Sequence, residues 1–389
     1  MNILWALLLM AIGSSGNHAT APEDSNFSKI VQSSVSAIVI QSGQGQVKEA
    51  SVSNPSAKVD APKVKGIYAT AYSAGGSRMN QLIDLVDKTE LNAMVIDIKD
   101  DAGYITYKTT NEKLNKLGNP QNFISDMDQL MLRLKKHNIY PIARIVVFKD
   151  TVLAKKNPKL SFVQKDGKIW TNGKGDAFVN PYNKEVWDYN VEIAKEAAKL
   201  GFKEIQFDYV RFPEGFEKRA NSLTYTKNNE TRVQVVSDFV QYARTQLAPL
   251  GVRVSVDIFG YAASVPAAEG IGQDFVKISK NVDVISPMIY PSHYTTGWFG
   301  AKDPDKAPYQ TIKGSLEDTH KKLSTISNEK PIIRPWIQDF TASWLGKGHY
   351  IKYGKQEVEE QIRALNEMNV DEYLLWNANN RYTPGVDYK

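Results

Sequence analysis

From Val64 onward, short apolar runs of strand length alternate with longer segments whose apolar residues recur at helical spacing. The pattern predicts eight buried strands, at 66–70, 93–99, 140–147, 203–208, 252–257, 282–290, 331–338 and 372–377. It predicts amphipathic helices at 76–89, 123–137, 182–200, 231–247, 314–327 and 356–369. A turn at 165–168 with apolar flanks predicts a small hairpin between the third and fourth strands.

Alternating strands and helices in this number predict an α/β fold, a (β/α)₈ TIM barrel with a flexible N-terminal extension. The alternative is an open, doubly wound sheet. Neither a G-x-G-x-x-G sequence after the first strand nor a G-x-x-x-x-G-K-[ST] sequence is present, so nothing favours a nucleotide-binding version of that fold. The barrel domain is expected at 63–389.

The first 62 residues lack this alternation. The apolar run Leu4–Ile12 is too short to span a bilayer and precedes small residues, which is typical of a signal peptide. We therefore expect a signal peptide or short membrane anchor at 1–20 and a low-complexity linker at 21–62. We therefore expect the protein to be secreted or extracytoplasmic. If residues 1–20 are retained, we expect it to associate with the membrane or cell wall through its N-terminus.

Composition narrows the chemistry. The chain has 389 residues and no cysteine, which excludes disulfides, thiolate metal sites and a cysteine nucleophile. The net charge of +5 is spread along the sequence and does not indicate nucleic-acid binding. The sequence indicates no cofactor, and we expect a monomer.

Polar and aromatic residues recur where the predicted strands end. In a parallel barrel these ends meet at one face and form the active site. Carboxylates and amides bind sugar hydroxyls, and aromatic rings stack on sugar C–H surfaces, so the set favours a polysaccharide or oligosaccharide substrate. The predicted substrate-binding residues are Tyr68, Asp97, Lys99, Arg144, Arg211, Tyr290, His293, Trp336, Gln338, Asp339, Trp376 and Asn377.

Glycoside hydrolysis requires two carboxyl groups. Asp208 and Asp257 end neighbouring strands, which favours the separation of roughly 5–5.5 Å that a retaining mechanism uses, while a wider inverting geometry stays open. Asp97 and Asp339 are the alternates for either role. If Arg211 or Arg144 turns inward it keeps Asp208 ionised as nucleophile or base, and the apolar residues after Asp257 favour the protonated acid.

Two other functions remain open. The strand-end acids of a non-catalytic carbohydrate-binding barrel would only orient hydroxyls. In a metal-dependent hydrolase, Asp97, Asp100 and Asp101 would supply oxygen ligands to Ca²⁺ or Mg²⁺. Histidine is scarce, and no H-E-x-x-H sequence is present, so we predict no metal site.

Four segments resemble a bacterial family of glycosyl-hydrolase-like proteins with a TIM-barrel domain, whose members are mostly uncharacterised. They are Ile96–Asp100, Gln206–Pro213, Val256–Tyr261 and Ile285–Tyr294. The resemblance covers Val64 to about Pro384. It implies a glycoside hydrolase barrel with its site at the strand ends. The acids on strands four and five are also similar to those of the α-amylase family, but Asp257 stands where that family usually has Glu, and Gln206 where it has Arg.

Overall fold

A computed structural model describes residues 61–389. The predicted signal peptide or anchor lies outside the described residues, as does the predicted linker apart from Ala61 and Pro62. The strands are β1 Lys65–Ala69, β2 Ala93–Lys99, β3 Tyr140–Val146, β4 Val163–Gln164, β5 Glu204–Asp208, β6 Leu223–Thr224, β7 Arg253–Phe259, β8 Val284–Met288, β9 Ile332–Ile333, β10 Trp336–Gln338 and β11 Tyr373–Trp376. The α-helices are α1 Ala71–Ala74, α2 Arg78–Asp87, α3 Glu112–Leu117, α4 Met127–Lys136, α5 Thr151–Lys156, α6 Lys184–Lys199, α7 Phe216–Arg219, α8 Arg232–Leu247, α9 Phe275–Ser279, α10 Pro308–Ser324 and α11 Lys355–Glu367.

Nine strands form one parallel sheet that closes on itself. Their order is β10-β11-β1-β2-β3-β5-β7-β8-β9, and β10 also pairs with β8 through Trp336 and Met288. The two short strands β9 and β10 together occupy one position of the barrel, interrupted at Arg334 and Pro335, because proline cannot donate to the ladder. The eight-stranded barrel predicted from the sequence is confirmed.

Strand residues alternate between two apolar layers. Outward-facing side chains such as Ile67, Met94 and Ile96 join the large core between the strands and the helices. Inward-facing ones such as Val95 and Ile142 form a smaller cluster inside the barrel with Tyr68, Tyr140, Tyr290, Trp336 and Leu374. Because side chains alternate along a strand, polar residues at alternate positions near the strand ends face the same interior.

A buried ion triad lies at the amino-terminal end of the barrel. Arg334 donates to both carboxylate oxygens of Glu204, at 2.7 and 2.8 Å, and through Nε to Glu372 at 2.8 Å. Arg334 and Glu204 are fully buried. The triad thus pairs the buried charged groups at this end of the barrel with one another.

The seam between the first and last strands is reinforced by the segment after β11. The Tyr382 hydroxyl accepts from the amide of Tyr68 at 2.8 Å and donates to the carbonyl of the same residue at 2.6 Å. Asn380 accepts from the amide of Thr70 at 2.9 Å and donates to the Tyr68 carbonyl at 3.0 Å. The first strand is thereby fixed to residues that follow the last.

Helix boundaries differ from the predicted ones where caps decide them. Helix α4 begins four residues later than predicted because the Asp126 carboxylate accepts from the amide of Gln129 as an N-cap. Helix α10 begins six residues earlier, with Pro308 in its first turn. The predicted hairpin forms a bridge between Val163 and Ile169, and β4 also pairs with β6.

The aromatic residues after the sixth barrel strand serve packing. Trp298 and Phe299 both lie edge-on against Tyr294, at 5.4 and 5.1 Å between ring centroids, and pack on the main core. Tyr309 lies within α10, whose start precedes the predicted helix at 314–327.

Candidate active site

Three carboxylates surround one guanidinium at the carboxyl ends of β2, β3 and β5. Arg144 donates to Oδ2 of Asp208 from Nε at 3.0 Å and from Nη2 at 2.6 Å. Its Nη1 donates to Asp97 at 2.7 Å and to Asp101 at 3.1 Å. Of the two arginines considered from the sequence, Arg144 is therefore the one that faces Asp208, and an ion pair of this kind favours the ionised carboxylate.

The residue after Asp208 has an uncommon backbone conformation. Tyr209 has a φ of 52°, in the left-handed region that glycine and asparagine favour. Its amide donates to Oδ1 of Asp208 at 2.6 Å. Its ring lies 4.7 Å from the Lys149 ammonium and 4.7 Å from the Arg211 guanidinium. The turn thus brings a hydrogen-bond donor to the oxygen of Asp208 that Arg144 leaves free.

Asp257 lies beside Asp208 in an apolar surround. The register pairs Phe207 with Val256, so the two acids occupy adjacent positions on β5 and β7. The indole of Trp336 donates to Oδ1 of Asp257 at 2.8 Å. Among the hydrogen bonds of residues 61–389, none involves Oδ2 of Asp257.

The two neighbouring acids are placed in different electrostatic environments. Burial, and secondly the negative charge of Asp208, raise the pKa of Asp257 well above its usual range. Burial also raises the pKa of Asp97 to about 6, against the opposing charge of Arg144. Asp208, in contrast, has two hydrogen bonds from a guanidinium that is itself almost fully buried. The arrangement favours a proton on Asp257, while Asp208 is paired with a cation.

Aromatic rings form one wall of this site. Tyr68 stacks on Trp376 with ring centroids 4.3 Å apart and also donates to Asp97. Trp336 meets Trp376 edge-on at 5.4 Å, and the Arg144 guanidinium lies 5.5 Å from the Trp376 ring. Trp376 is half-buried, so the structure leaves part of its surface open.

Lys99, which was predicted to bind substrate, lies outside this cluster. Its Nζ forms a 2.6 Å ion pair with Asp150 and donates to the carbonyl of Val146 and the amide oxygen of Asn190. The register of β2 against β3 shifts between Asp97 and Lys99. This irregularity turns Lys99 toward α6, although a regular strand would orient it like Asp97.

Three more predicted residues stabilise loops. Gln338 donates to Asp305 at 2.9 Å and accepts from the amide of Ser292 at 3.0 Å. Both carboxylate oxygens of Asp339 accept hydrogen bonds from Thr383. The side-chain amide of Asn377 donates to the carbonyls of Asp339 and Arg381. These contacts occupy the polar groups that were expected to bind sugar hydroxyls.

The remaining predicted residues border the site. Arg211 lies between the rings of Tyr209 and Phe259, with its guanidinium 4.6 Å from the latter, and donates to the carbonyl of Phe212. Tyr290 is buried in the barrel-interior cluster with Trp336, and burial together with the charge of Asp257 raises the pKa of its hydroxyl. His293 is exposed and meets the Tyr290 ring edge-on at 5.1 Å.

The sequence interpretation omitted several members of the site. Lys149 follows the end of β3 and forms a 3.3 Å ion pair with Asp101, which the sequence interpretation considered only as a metal ligand. Tyr209 directly follows the predicted acid Asp208. Lys149 and Tyr209 follow strand ends as closely as the predicted residue Arg211 does, so the same positional signal was present for them.

The acidic residues considered as metal ligands are engaged in other contacts. One oxygen of Asp100 accepts from three main-chain amides, those of Ala102, Gly103 and Tyr104, at 2.9–3.0 Å. Asp97 and Asp101 share Arg144. Within residues 61–389, no group of three or more histidine or acidic side chains is arranged to hold a metal ion.

Comparison with known protein families assigns the barrel domain to a family. Residues 66–382 match a protein family described as "Putative glycosyl hydrolase domain". The chain belongs to this family. It therefore has a glycosyl-hydrolase-like barrel, as the sequence motifs indicated. No curated protein matches.

Solved structures with a similar fold include glycoside hydrolases. The glycoside hydrolase domain of PgaB (BpsB) from Bordetella bronchiseptica has 14% identity over 82% of this chain and 95% of its own, with a TM-score of 0.56. The α-galactosidase TtGalA from Thermus thermophilus has 12% identity over 83% and 63%, with a TM-score of 0.51. A hypothetical protein from Ruminiclostridium thermocellum has 36% identity over 49% of this chain and 96% of its own, with a TM-score of 0.45. At such identities, the first two likenesses show the fold.

Among the helices of residues 61–389, none has the length and apolar character that crossing a bilayer requires.

Proposed function

We propose that this protein is a glycoside hydrolase that cleaves a polysaccharide with Asp208 and Asp257. The observation that supports the proposal is the unequal environment of these neighbouring acids. Arg144 stabilises the ionised form of Asp208, and burial stabilises the protonated form of Asp257. A glycosidase needs such a pair, one group to donate a proton and one to act as nucleophile or base.

In the proposed first step, Asp257 transfers its proton to the glycosidic oxygen as the bond from that oxygen to the anomeric carbon breaks. The bond's electron pair remains with the leaving alcohol. Oδ1 of Asp208 attacks the anomeric carbon and forms a glycosyl ester. Within residues 61–389, this oxygen accepts a hydrogen bond only from the Tyr209 amide. Asp257, now ionised, then deprotonates the water that hydrolyses this ester. An inverting enzyme would instead use Asp208 to deprotonate water directly.

The membership of a glycosyl-hydrolase-like family and the aromatic wall at Trp376 support a carbohydrate as substrate. Action outside the cytoplasm is part of the proposal and depends on the apolar run Leu4–Ile12. The non-catalytic alternative draws on a different observation. Asp208 and Asp257 are only 6% and 2% exposed, so little of either carboxyl group is accessible to a glycosidic bond.

The test compares alanine variants on aryl glycosides with a good leaving group, after the wild type has been screened against polysaccharides. Such substrates need little proton donation, so Asp257→Ala should retain much of its first-step rate and Asp208→Ala should lose it. Asp339→Asn is the matched control, because that strand-end acid contacts Thr383 and should leave the rate unchanged. The reverse pattern would exchange the two roles, and a wild type that hydrolyses no glycan would support the binding-only barrel.

A further inference from the structure

A series of aromatic rings leads from the acid pair to the protein surface. Tyr290 is buried in the cluster that contains Trp336, the donor to Asp257, and it meets Phe340 edge-on with 5.9 Å between ring centroids. Phe340 in turn lies nearly parallel to Trp344, at 5.7 Å and 23°. Trp344 is 62% exposed. The rings follow one another outward from the end of β10, whose first residue, Trp336, donates to Asp257.

The segment that carries these rings is fixed at several points. Gln338 donates to the carbonyl of Phe340 at 3.0 Å and to the buried Asp305 at 2.9 Å. Asp305 also accepts from the amide of Ile351 at 3.2 Å, and its carbonyl accepts from the Tyr353 hydroxyl at 3.1 Å. A platform that is already ordered loses little conformational entropy when a ligand binds, which makes a weak stacking surface effective.

We propose that Phe340 and Trp344 form an outer subsite that binds the substrate polysaccharide beyond the bond that is cleaved. The ligand class is an extended chain of equatorially linked pyranoses. Such rings present flat C–H faces that stack on aromatic side chains, and the contacts from Tyr290 to Phe340 and from Phe340 to Trp344 place three rings in succession. Axial linkages curl a sugar chain and turn its successive faces in different directions, so we expect such a chain to bind more weakly. This inference rests on the proposed function for calling the ligand a substrate.

Binding can be measured without turnover in an Asp208→Asn background. The probes are cellohexaose, chitohexaose and maltohexaose, with affinity measured by calorimetry. We expect at least one of the first two to bind and Trp344→Ala to weaken its binding by about threefold to tenfold. Trp344→Phe should keep most of the affinity, because a stacking surface remains. Leu132→Ala, which removes a side chain of 61% exposure from the outer helix α4, should change nothing.

Three results would overturn the subsite: no binding of any hexasaccharide, unchanged affinity in Trp344→Ala, or a preference for maltohexaose. A second measurement separates this inference from the proposed function. With Asp208 intact, Trp344→Ala should leave kcat/KM for an aryl monoglycoside unchanged and raise KM for the hexasaccharide. If the wild type hydrolyses nothing, the proposed function fails while the binding result still decides the subsite.

Discussion

The indole of Trp336 donates its hydrogen bond to Asp257, 2.8 Å away, yet burial still raises the pKa of that carboxyl well above the usual range. A neutral donor helps the carboxylate only modestly, and it leaves the negative charge in an apolar interior. Asp257 is thus favourable for folding when protonated and unfavourable when ionised.

We expect Asp257→Asn to stabilise the protein at neutral pH. The folded-state pKa lies above the unfolded value of about 3.9, so the contribution of Asp257 is complete below about pH 4 and is lost as the pH rises through the folded-state pKa. Asparagine keeps the acceptor for Trp336 and has no charge to bury. Urea unfolding should show a gain of about 1 kcal/mol over wild type near pH 7 that shrinks toward pH 4. A constant difference between the two proteins would contradict this account.

Arg144→Met should destabilise the fold by about 3–5 kcal/mol, because three carboxylates lose the cation they share and Asp97 and Asp208 are buried. The free energy of unfolding in urea measures the loss. Arg144→Lys keeps the positive charge but not the planar guanidinium, so its free energy of unfolding should lie between those of the wild type and Arg144→Met. The comparison variant is Arg211→Met. The Arg211 guanidinium stacks on aromatic rings, so its removal should cost less in the free energy of unfolding. Equal losses at 144 and 211 would refute the central position of Arg144.

Tyr209 tests whether backbone conformation orients Asp208. Valine is strongly disfavoured at a φ of 52°, so Tyr209→Val should shift the amide away from Oδ1 and lower kcat by about tenfold or more. Tyr209→Gly should retain more activity, since glycine adopts this conformation without strain. The kcat values of the two variants are the measurement. If glycine is the more damaging replacement, the ring and its contacts with Lys149 and Arg211 matter more than the backbone.

The buried pair Lys99–Asp150 should matter for stability and not for substrate binding. Lys99→Met leaves Asp150 uncompensated and should cost about 3–5 kcal/mol in the free energy of unfolding. KM of the folded fraction should not change. The double variant Lys99→Met with Asp150→Asn removes both charges and should recover part of the loss. A raised KM in either variant would return Lys99 to the site.

The barrel was predictable because its signal is repeated: eight apolar runs of strand length occur, and six of them are followed by a helical pattern. The acids at 208 and 257 were predictable for a related reason. A charged residue is costly in an apolar core, so one at the end of an apolar strand is expected at the open end of a barrel. The outward turn of Lys99 depends on a one-residue irregularity in β2, and the loop contacts of Asp339 depend on Thr383, more than forty residues away. Neither relation leaves a pattern in the sequence that local reasoning could detect.

The seam at Tyr382 and Tyr68 has a consequence for how the chain folds. The two residues are 314 positions apart, so the bonds between them form only after nearly the whole barrel has assembled. Until then β1 and β11 each lack the neighbour that the finished structure provides, and their unpaired main-chain groups are open to strands of other molecules. Aggregation during refolding should therefore rise steeply with protein concentration, and variants that loosen this seam should increase it before they measurably lower the stability of the folded state.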